Sequence, residues 1–454
     1  TFRDEDPVNI EAAELMGQLH DQLKEIGYAD HPLEVYLVRL LFCLFADDTG
    51  IFEKGIFQEY IRLKTHEDGS DLAFHLSGIF NILNTDRNSR LKNIDEHLNA
   101  FPFVNGKLFS ENLPLASFDS DMRRTLLKCC TLDWGKISPA IFGSMFQSVM
   151  DSGKRRNLGA HYTSEKNIMK VIRSLFLDDL WEEFHRIKSD RRKLVEFHNR
   201  IAKLRFLDPA CGCGNFLVIT YRELRLLEIE ILKVLYKGET GIIQHGIEVY
   251  AKMDVDQFYG IEVEEFPAQI AQVAMWLMDH QMNMVLSAEF GEYFVRLPLK
   301  KSATIVHGNA LRMDWESIIL QTDNSHIIET DTPFYNYIFG NPPFIGKNFQ
   351  NKEQKNDLAN LFKGVDGSGN MDYVTGWYIK ASQYLKKFNT EEINTSGRTK
   401  VAFVSTNSVT QGEQVGILWN ELFNRYHIKI HFAHRTFKWS NEAKGNAAVH
   451  VVII

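Results

Sequence analysis

FLDPACGCGNFL, residues 206–217, holds a carboxylate and two glycines where an apolar run gives way to a helical pattern. Gly212 and Gly214 sit between that strand and that helix. Glycine there lets the backbone bend sharply and approach a ligand closely, and a helix N-terminus favours negative charge. A dinucleotide fingerprint would need a third glycine at position 217, which is leucine. Asp208, at the end of the strand, can hold a cationic amine, which a nicotinamide cofactor lacks and S-adenosylmethionine has. Glu262, in GIEVEE, ends the next strand and can accept both hydroxyls of a ribose; its plainer reading is a solvated strand-end acid. Together Asp208, Gly212, Gly214 and Glu262 describe a nucleoside cofactor with a positively charged tail. A second stretch, FGNPPFIG (339–346), puts the amide of Asn341 and two prolines at the tip of an apolar run, with Phe344 directly behind. Asn-Pro alone reads as a loop that breaks a strand; Asn-Pro-Pro-Phe is more restrictive.

These residues need a scaffold that sets them at strand ends. From about residue 150, short apolar runs alternate with amphipathic stretches: LRFLD (204–208), FYGIEV (258–263), ATIVHG (303–308), YNYIFG (335–340), KVAFVS (400–405), IKIHFAH (428–434) and AAVHVVII (447–454). NFLVITYRELRLLEIEILKVLY, between the first two, predicts a long helix. The alternation predicts an α/β fold, a mostly parallel sheet of seven strands with helices on both faces. The first 150 residues read as all-α. HPLEVYLVRLLFCLFAD (31–47) is apolar nearly all round, as a buried central helix would be. FDSDMRRTLLKCC and SPAIFGSMFQSVM continue the helical pattern. The expected organisation is a helical connector domain over 1–150 and a catalytic α/β domain over 151–454.

At roughly 150 residues per domain, 454 residues make two to three domains. No apolar run approaches the roughly 20 residues that cross a bilayer, so no membrane partner is expected. Five cysteines form no disulfide framework and no zinc-ligand spacing, which fits a cytoplasmic location and no metal site. The net charge is −8, unevenly spread: residues 1–150 carry 14 Lys and Arg against 23 Asp and Glu, the remainder 37 against 36. Phosphate contacts should therefore be local. GKRRN (153–157) and RIKSDRRK (186–193) are the densest basic stretches, although most such runs are solvated helix faces. The start, TFRDEDPVNI, reads as a cut from a longer chain.

DPACGCGNF, GIEVEE and GNPPF, preceded by LGAHYTSEKNI (158–168), resemble the motifs of S-adenosylmethionine-dependent DNA adenine-N6 methyltransferases. Their order resembles the gamma class, in which the target-recognition domain comes last. Within it the chain is similar to the MmeI-like family of fused restriction-modification enzymes and related phage-defence methyltransferases, which HRTFKWSNEAKG (434–445) and the helical leader also fit. The resemblance covers residues 150–454 strongly and 1–150 loosely. It implies a Rossmann-like methyltransferase sheet with S-adenosylmethionine as cofactor and double-stranded DNA as partner. It also implies a nuclease before these residues and a target-recognition domain after them. Thr163, with Tyr162 nearby, would contact the methionine end of the cofactor. Asp208 and the backbone from Ala210 to Gly214 would surround the same end, and Glu262 would take the ribose. Asn309 stands where many relatives have an aspartate for the cofactor's adenine amine, and Asp314 competes for that role.

The resemblance gives Asn-Pro-Pro-Phe a task. The exocyclic amine of adenine is a poor nucleophile because its lone pair is delocalised into the ring. Two acceptors aimed at its two N–H bonds favour the rehybridised amine: the Asn341 side-chain oxygen and the Pro342 carbonyl, held in direction by Pro342 and Pro343. Alignment and fixed dipoles carry the rate, with no strong general base. The base must leave the duplex, with Phe344 as one stacking face and Phe437, in RTFKWS, at the position of the family's second ring. Trp439 is a nearby alternative. His434, Arg435 and Lys438 are candidate phosphate contacts.

Three rival readings stand beside this one. Protein glutamine methyltransferases also use Asn-Pro-Pro-aromatic, but lack a Tyr-Thr segment upstream of the glycine turn, and GAHYTS is present here. A non-catalytic DNA-binding scaffold predicts degenerate motifs, yet Asp208, both glycines, Glu262 and Asn341 all stand. Leu217 speaks against a dinucleotide oxidoreductase. Nuclease Glu-x-Lys triplets occur at Glu353-Gln354-Lys355 and Glu442-Ala443-Lys444, both inside the methyltransferase region, so no nuclease is expected in these residues.

Overall fold

The computed structural model describes residues 7–104, 107–137, 163–236, 250–291, 302–322, 334–388, 399–439 and 449–454. SPAIFGSMFQSVM, GKRRN, His161, Tyr162 and the Glu442 triplet lie outside the described residues. The chain divides into two compact units, Thr1–Val149 with Val273–Ser302, and Met150–Gln272 with Ala303–Ile454.

The helical unit is organised by the helix Asp30–Asp48, in which Leu33 and every residue from Val35 to Asp47 are buried. A helix apolar on all sides needs neighbours on all sides. One of its neighbours comes from far along the chain: Trp276 stacks on Phe42 with ring centroids 5.0 Å apart, and the His280 ring hydrogen-bonds the Thr49 carbonyl at 2.9 Å. Its two buried charged side chains are both hydrogen-bonded. Arg39 donates to the carbonyls of Leu108 and Glu111, each at 2.8 Å. The Asp47 carboxylate accepts from Phe57 N and Gln58 N, serving the first turn of the helix Ile56–Lys64, whose own N-cap is Gly55.

The second unit is built on a seven-stranded sheet: β1 (Phe206–Asp208), β2 (Phe258–Glu262), β3 (Thr304–His307), β4 (Tyr337–Gly340), β5 (Lys400–Thr406), β6 (His434–Trp439) and β7 (Val449–Ile453). Their order across the sheet is β3-β2-β1-β4-β5-β7-β6. The first five pair in parallel, and β7 pairs antiparallel with β5 and β6. The inner strands are apolar at consecutive positions because both of their faces are covered. Phe206 lies in register with Phe258 and Tyr337 and packs on both rings, with Phe176 at 5.4 Å. The next position, Leu207, joins Ile338, Trp315, Tyr335 and Trp377 in a different core cluster.

The expected strand at 428–434 is displaced. Residues 428–433 form no strand, and β6 begins at His434, where it meets Ile453. The alternation Ile428, Ile430, Phe432, His434 runs on without a break, so the period of two does not mark where pairing begins. His427, at φ 56°, still belongs to the turn that ends the preceding helix, and Ile428 N donates to Leu422 O.

Chain order is β1, β2, β3 on one side of the sheet and β4, β5 on the other, so the direction of winding reverses between β1 and β4. Ligands of open α/β sheets bind in the crevice at such a reversal, beyond the carboxyl ends of the strands. Asp208 ends β1 and Gly340 ends β4.

Candidate active site at the β1–β4 reversal

The glycine turn that leaves β1 is fixed by its own backbone. Cys211 N donates to Ile261 O at 3.0 Å, Gly214 N to Cys211 O at 2.8 Å, and Val218 N to Gly214 O at 2.9 Å, which starts the helix Asn215–Tyr236. Gly212 and Gly214 have φ of 54° and 86°, where a side chain is costly. At Gly214 a Cβ would also lie 2.9 Å from the Cβ of Ala271. Trp377 holds the turn from outside, its indole N–H donating to the Pro209 carbonyl at 3.1 Å.

Two carboxylates face this turn. Glu262 Oε2 accepts from Gly212 N at 2.8 Å, and Oε1 accepts from Glu264 N at 3.1 Å. Burial nevertheless raises its pKa above the ordinary value. Asp208 is 1% exposed. Its Oδ1 accepts from Ala210 N at 3.0 Å, and its Oδ2 is buried with no hydrogen-bond partner among the described residues. Burial, with a smaller push from Glu262, lifts the Asp208 carboxyl to about 8. An ionisable oxygen so placed is incomplete without a donor or a cation, and this is the fit expected of a site for a cofactor with a cationic amine.

Asp208 also touches the second motif. A Cβ on Gly340 would lie 2.3 Å from Asp208 Oδ1, so only glycine lets the β4 backbone and this carboxyl share the crevice. Gly340→Ala is expected to displace the carboxyl and to destabilise the fold by about 1–3 kcal/mol, the usual overpacking cost. Thermal unfolding alongside cofactor titration checks both effects; an unchanged midpoint with unchanged cofactor affinity would contradict this packing.

Asn341 follows at once, partly buried, and its Nδ2 donates to Thr163 Oγ1 at 3.1 Å. That bond joins the segment before the helix Glu165–Ile172 to the tip of β4 and sets the amide with its oxygen directed away from Thr163. Pro342 is buried; Pro343 and Phe344 are partly buried, and Phe344 packs against the core cluster that contains Leu207 and Ile338. The structure thus brings Thr163, Asp208, Ala210, Gly212, Gly214, Glu262, Gly340 and Asn341 into one connected set. Tyr162 lies outside the described residues.

Phe437 is on β6, with Lys170 Nζ 4.0 Å from its ring centroid. The π-helical turn Arg173–Leu177 that follows the helix bearing Lys170 meets the same strand through Ser174 Oγ and His434 Nε2, 2.9 Å apart. Asn309 is engaged at both ends: Leu311 N donates to its Oδ1 at 2.9 Å, and its Nδ2 donates to Asp357 at 3.0 Å. The buried Asp357 also receives Arg312 and the Tyr373 hydroxyl. Asp314 is exposed and accepts from Glu316 N, in the first turn of the helix Trp315–Thr322. Within the basic run at 186–193, Asp190 caps the helix Arg191–Ile201 and pairs with Lys193, and Arg192 pairs with Glu196.

Sequence reading missed Gly340, Trp377, Gly260 and the Thr163–Asn341 bond. A Cβ on Gly260 would fall 2.8 Å from Cys211 Sγ. Each of these depends on contacts between distant segments. Gly340 alone left a local sign, a glycine breaking an apolar strand beside Asn-Pro.

Known proteins resemble this chain in sequence and fold. The family model described as the MmeI DNA-methyltransferase domain matches residues 184–454, and that of the MmeI helicase spacer domain matches residues 31–109. DNA methyltransferase A of Bacillus subtilis (strain 168) is 42% identical over 461 residues, covering 100% of this chain and 49% of that protein. A putative type II restriction enzyme and methyltransferase of Methanocaldococcus jannaschii, RM.MjaORFECS2P, is 24% identical over 294 residues, 53% of this chain and 24% of its own length. The solved structure of the Type IIL restriction-modification enzyme MmeI in complex with DNA is 57% identical with a TM-score of 0.88, covering 99% of this chain and 57% of that one. The chain therefore spans about half the length of the first curated relative and a quarter of the second.

Proposed function

Because the chain belongs to the MmeI DNA-methyltransferase domain family, we propose that it methylates the N6 amine of an adenine extruded from double-stranded DNA, with S-adenosylmethionine as donor. The setting is a restriction-modification or phage-defence system in the cytoplasm, and residues 1–150 serve as a connector. The observation that carries the reading is the buried Asp208 carboxyl packed against the Gly340 backbone, one residue from the oriented amide of Asn341. A site for a cationic amine and a directed carbonyl acceptor are thus adjacent at the β1–β4 reversal. S-adenosylmethionine, when bound, supplies an electrophilic methyl group.

The chain's own residues would hold and align the partners. Asp208 and the Ala210–Gly214 backbone take the methionine end, with Thr163 and Tyr162 beside them, and Glu262 takes the ribose. Asn309 is proposed for the adenine side, where its Oδ1, already accepting from Leu311 N, has a second lone pair to offer. Asn341 Oδ1 and the Pro342 carbonyl accept the two N–H bonds of the target amine. This drives its nitrogen toward a tetrahedral form with the lone pair exposed. The surplus proton leaves after transfer, so a strong base is unnecessary. Phe344 and Phe437 present ring faces to the extruded base, each stack worth about 1–3 kcal/mol. Removal of the Phe437 ring by substitution with alanine is expected to weaken methylation of duplex DNA by roughly tenfold or more, on the same scale. Initial rates on duplex DNA check it, and rates equal to the parent's would exclude the ring from the site.

The deciding experiment is transfer of a tritiated methyl group to DNA by the full-length protein, followed by nucleoside analysis. Label in N6-methyladenine is the expected result. Label on cytosine, on protein, or nowhere would overturn the proposal.

A further inference from the structure

Phe349 is the most exposed large hydrophobic side chain among the described residues, at 86%. An aromatic on a loose tip would be unremarkable, but this one stands on a tied turn five residues beyond Phe344. Phe349 N donates to Gly346 O at 2.9 Å, Lys347 N to Asp372 Oδ1 at 3.3 Å, and Tyr373 N to Ile345 O at 2.9 Å. The next residue, Gln350, is buried and spends its amide nitrogen on the carbonyls of Ile345, at 3.3 Å, and Met371, at 2.9 Å. Backbone and side chain thus combine to hold an apolar ring out in water, where it gains nothing in the chain by itself.

The surroundings favour a polyanion. Lys347, Lys352 and Lys355 are exposed on the same turn and on the helix Lys352–Leu361 that follows it. Of the nearby acids, Glu353 pairs with Arg312 at 3.1 Å and Asp372 accepts from Lys347 N and the Ser408 hydroxyl, while the Lys347 ammonium donates to the neutral Asn370 amide at 3.1 Å. A projecting aromatic flanked by lysines is the chemistry that enters a base stack while its neighbours meet phosphates.

We propose that Phe349 is a wedge, inserting between bases of the duplex beside the position vacated by the extruded target while Lys347, Lys352 and Lys355 contact the adjoining phosphates. This rests on the DNA-methyltransferase reading and adds to it a residue that stabilises the opened duplex without touching the reacting atoms. Extrusion of a paired base is unfavourable, and a ring that fills the gap lowers that cost. The wedge matters only while the target is stacked and paired.

Two duplexes separate this role from others. Both carry the mapped methylation site; in one the target base is normally paired, and in the other it faces an abasic site. With the full-length protein, Phe349→Ala is expected to bind S-adenosylmethionine as the parent does and to methylate the abasic-opposed duplex at close to the parent rate. On the paired duplex it is expected to lose about tenfold or more in kcat/KM, because extrusion is unaided, and Phe349→Trp is expected to restore the rate. Equal rates of Phe349→Ala and parent on the paired duplex overturn the wedge. So does an equal loss on both duplexes, which would mean that the ring supports the fold or meets a protein partner. A parent protein that methylates no DNA removes the underlying reading and the wedge with it, a result distinct because it precedes any substitution.

Discussion

Asn341→Ala is expected to bind S-adenosylmethionine like the parent and to lose methyl transfer by roughly 100- to 1000-fold, the scale seen when one preorganised polar group at a reacting centre is removed. The split between binding and rate follows from where the side chain stands. The Asp208 and Glu262 carboxylates take their hydrogen bonds from Ala210 N, Gly212 N and Glu264 N. Asn341 is joined to this set through Thr163, its amide nitrogen donating at 3.1 Å. Truncation therefore leaves the carboxylates in place while removing the acceptor that would turn the target amine. Asn341→Asp is the sharper variant. It keeps the shape and the oxygen but replaces the donor toward Thr163 with a second acceptor, so Thr163 must turn its own hydroxyl proton toward it. Partial activity in Asn341→Asp with none in Asn341→Ala would support the acceptor role. Calorimetry gives the cofactor affinity and tritium transfer gives the rate; a rate in Asn341→Ala equal to the parent's would exclude the role.

Much of this site could be read from residue types because its parts are local. Asp208, the two glycines and Glu262 each occupy a strand end or the turn after it, positions that an apolar run followed by Gly, Asp or Pro marks in one dimension. The sheet was legible for the same reason: β1, β2, β4 and β5 are short apolar runs between helical stretches, and their covered faces leave no polar alternation to confuse them. What was not legible depends on distance along the chain. The Thr163–Asn341 bond spans 178 positions. Trp377 reaches the turn at Pro209 across 168. The division of the long helix Glu265–Phe290, whose residues from Val273 onward belong to the helical unit, has no compositional mark, because Trp276 and His280 look like any buried helix face until Phe42 and Thr49 stand opposite. The start of β6 was misplaced where alternation continued through an unpaired segment.

On the proposed function, the same local chemistry is expected to make affinity for S-adenosylmethionine depend on pH in a defined direction. An unperturbed aspartate titrates near 3.9, whereas burial lifts Asp208 to about 8. In the empty protein the carboxyl is thus mostly protonated at neutral pH. Its raised folded-state value contributes stability that is fully present below the unfolded pKa and is lost as pH rises through about 8. A cationic amine reverses the preference, because it is held by the carboxylate. Binding should therefore expel one proton below that pH, and affinity should climb about tenfold per unit as pH rises toward the shifted pKa, then level off. Isothermal calorimetry at one pH in buffers of different ionisation enthalpy reads the proton directly, and a pH series reads the slope. Asp208→Ala is expected to abolish binding. Asp208→Asn preserves the size of the side chain and removes the charge, so any residual binding should be weak, release no proton and show no slope through this range. A parent protein whose affinity is flat between pH 6 and 8, the lower part of the window set by the shift to about 8, would overturn this proton linkage. Unchanged affinity in Asp208→Ala would move the cofactor site away from the β1–β4 reversal altogether.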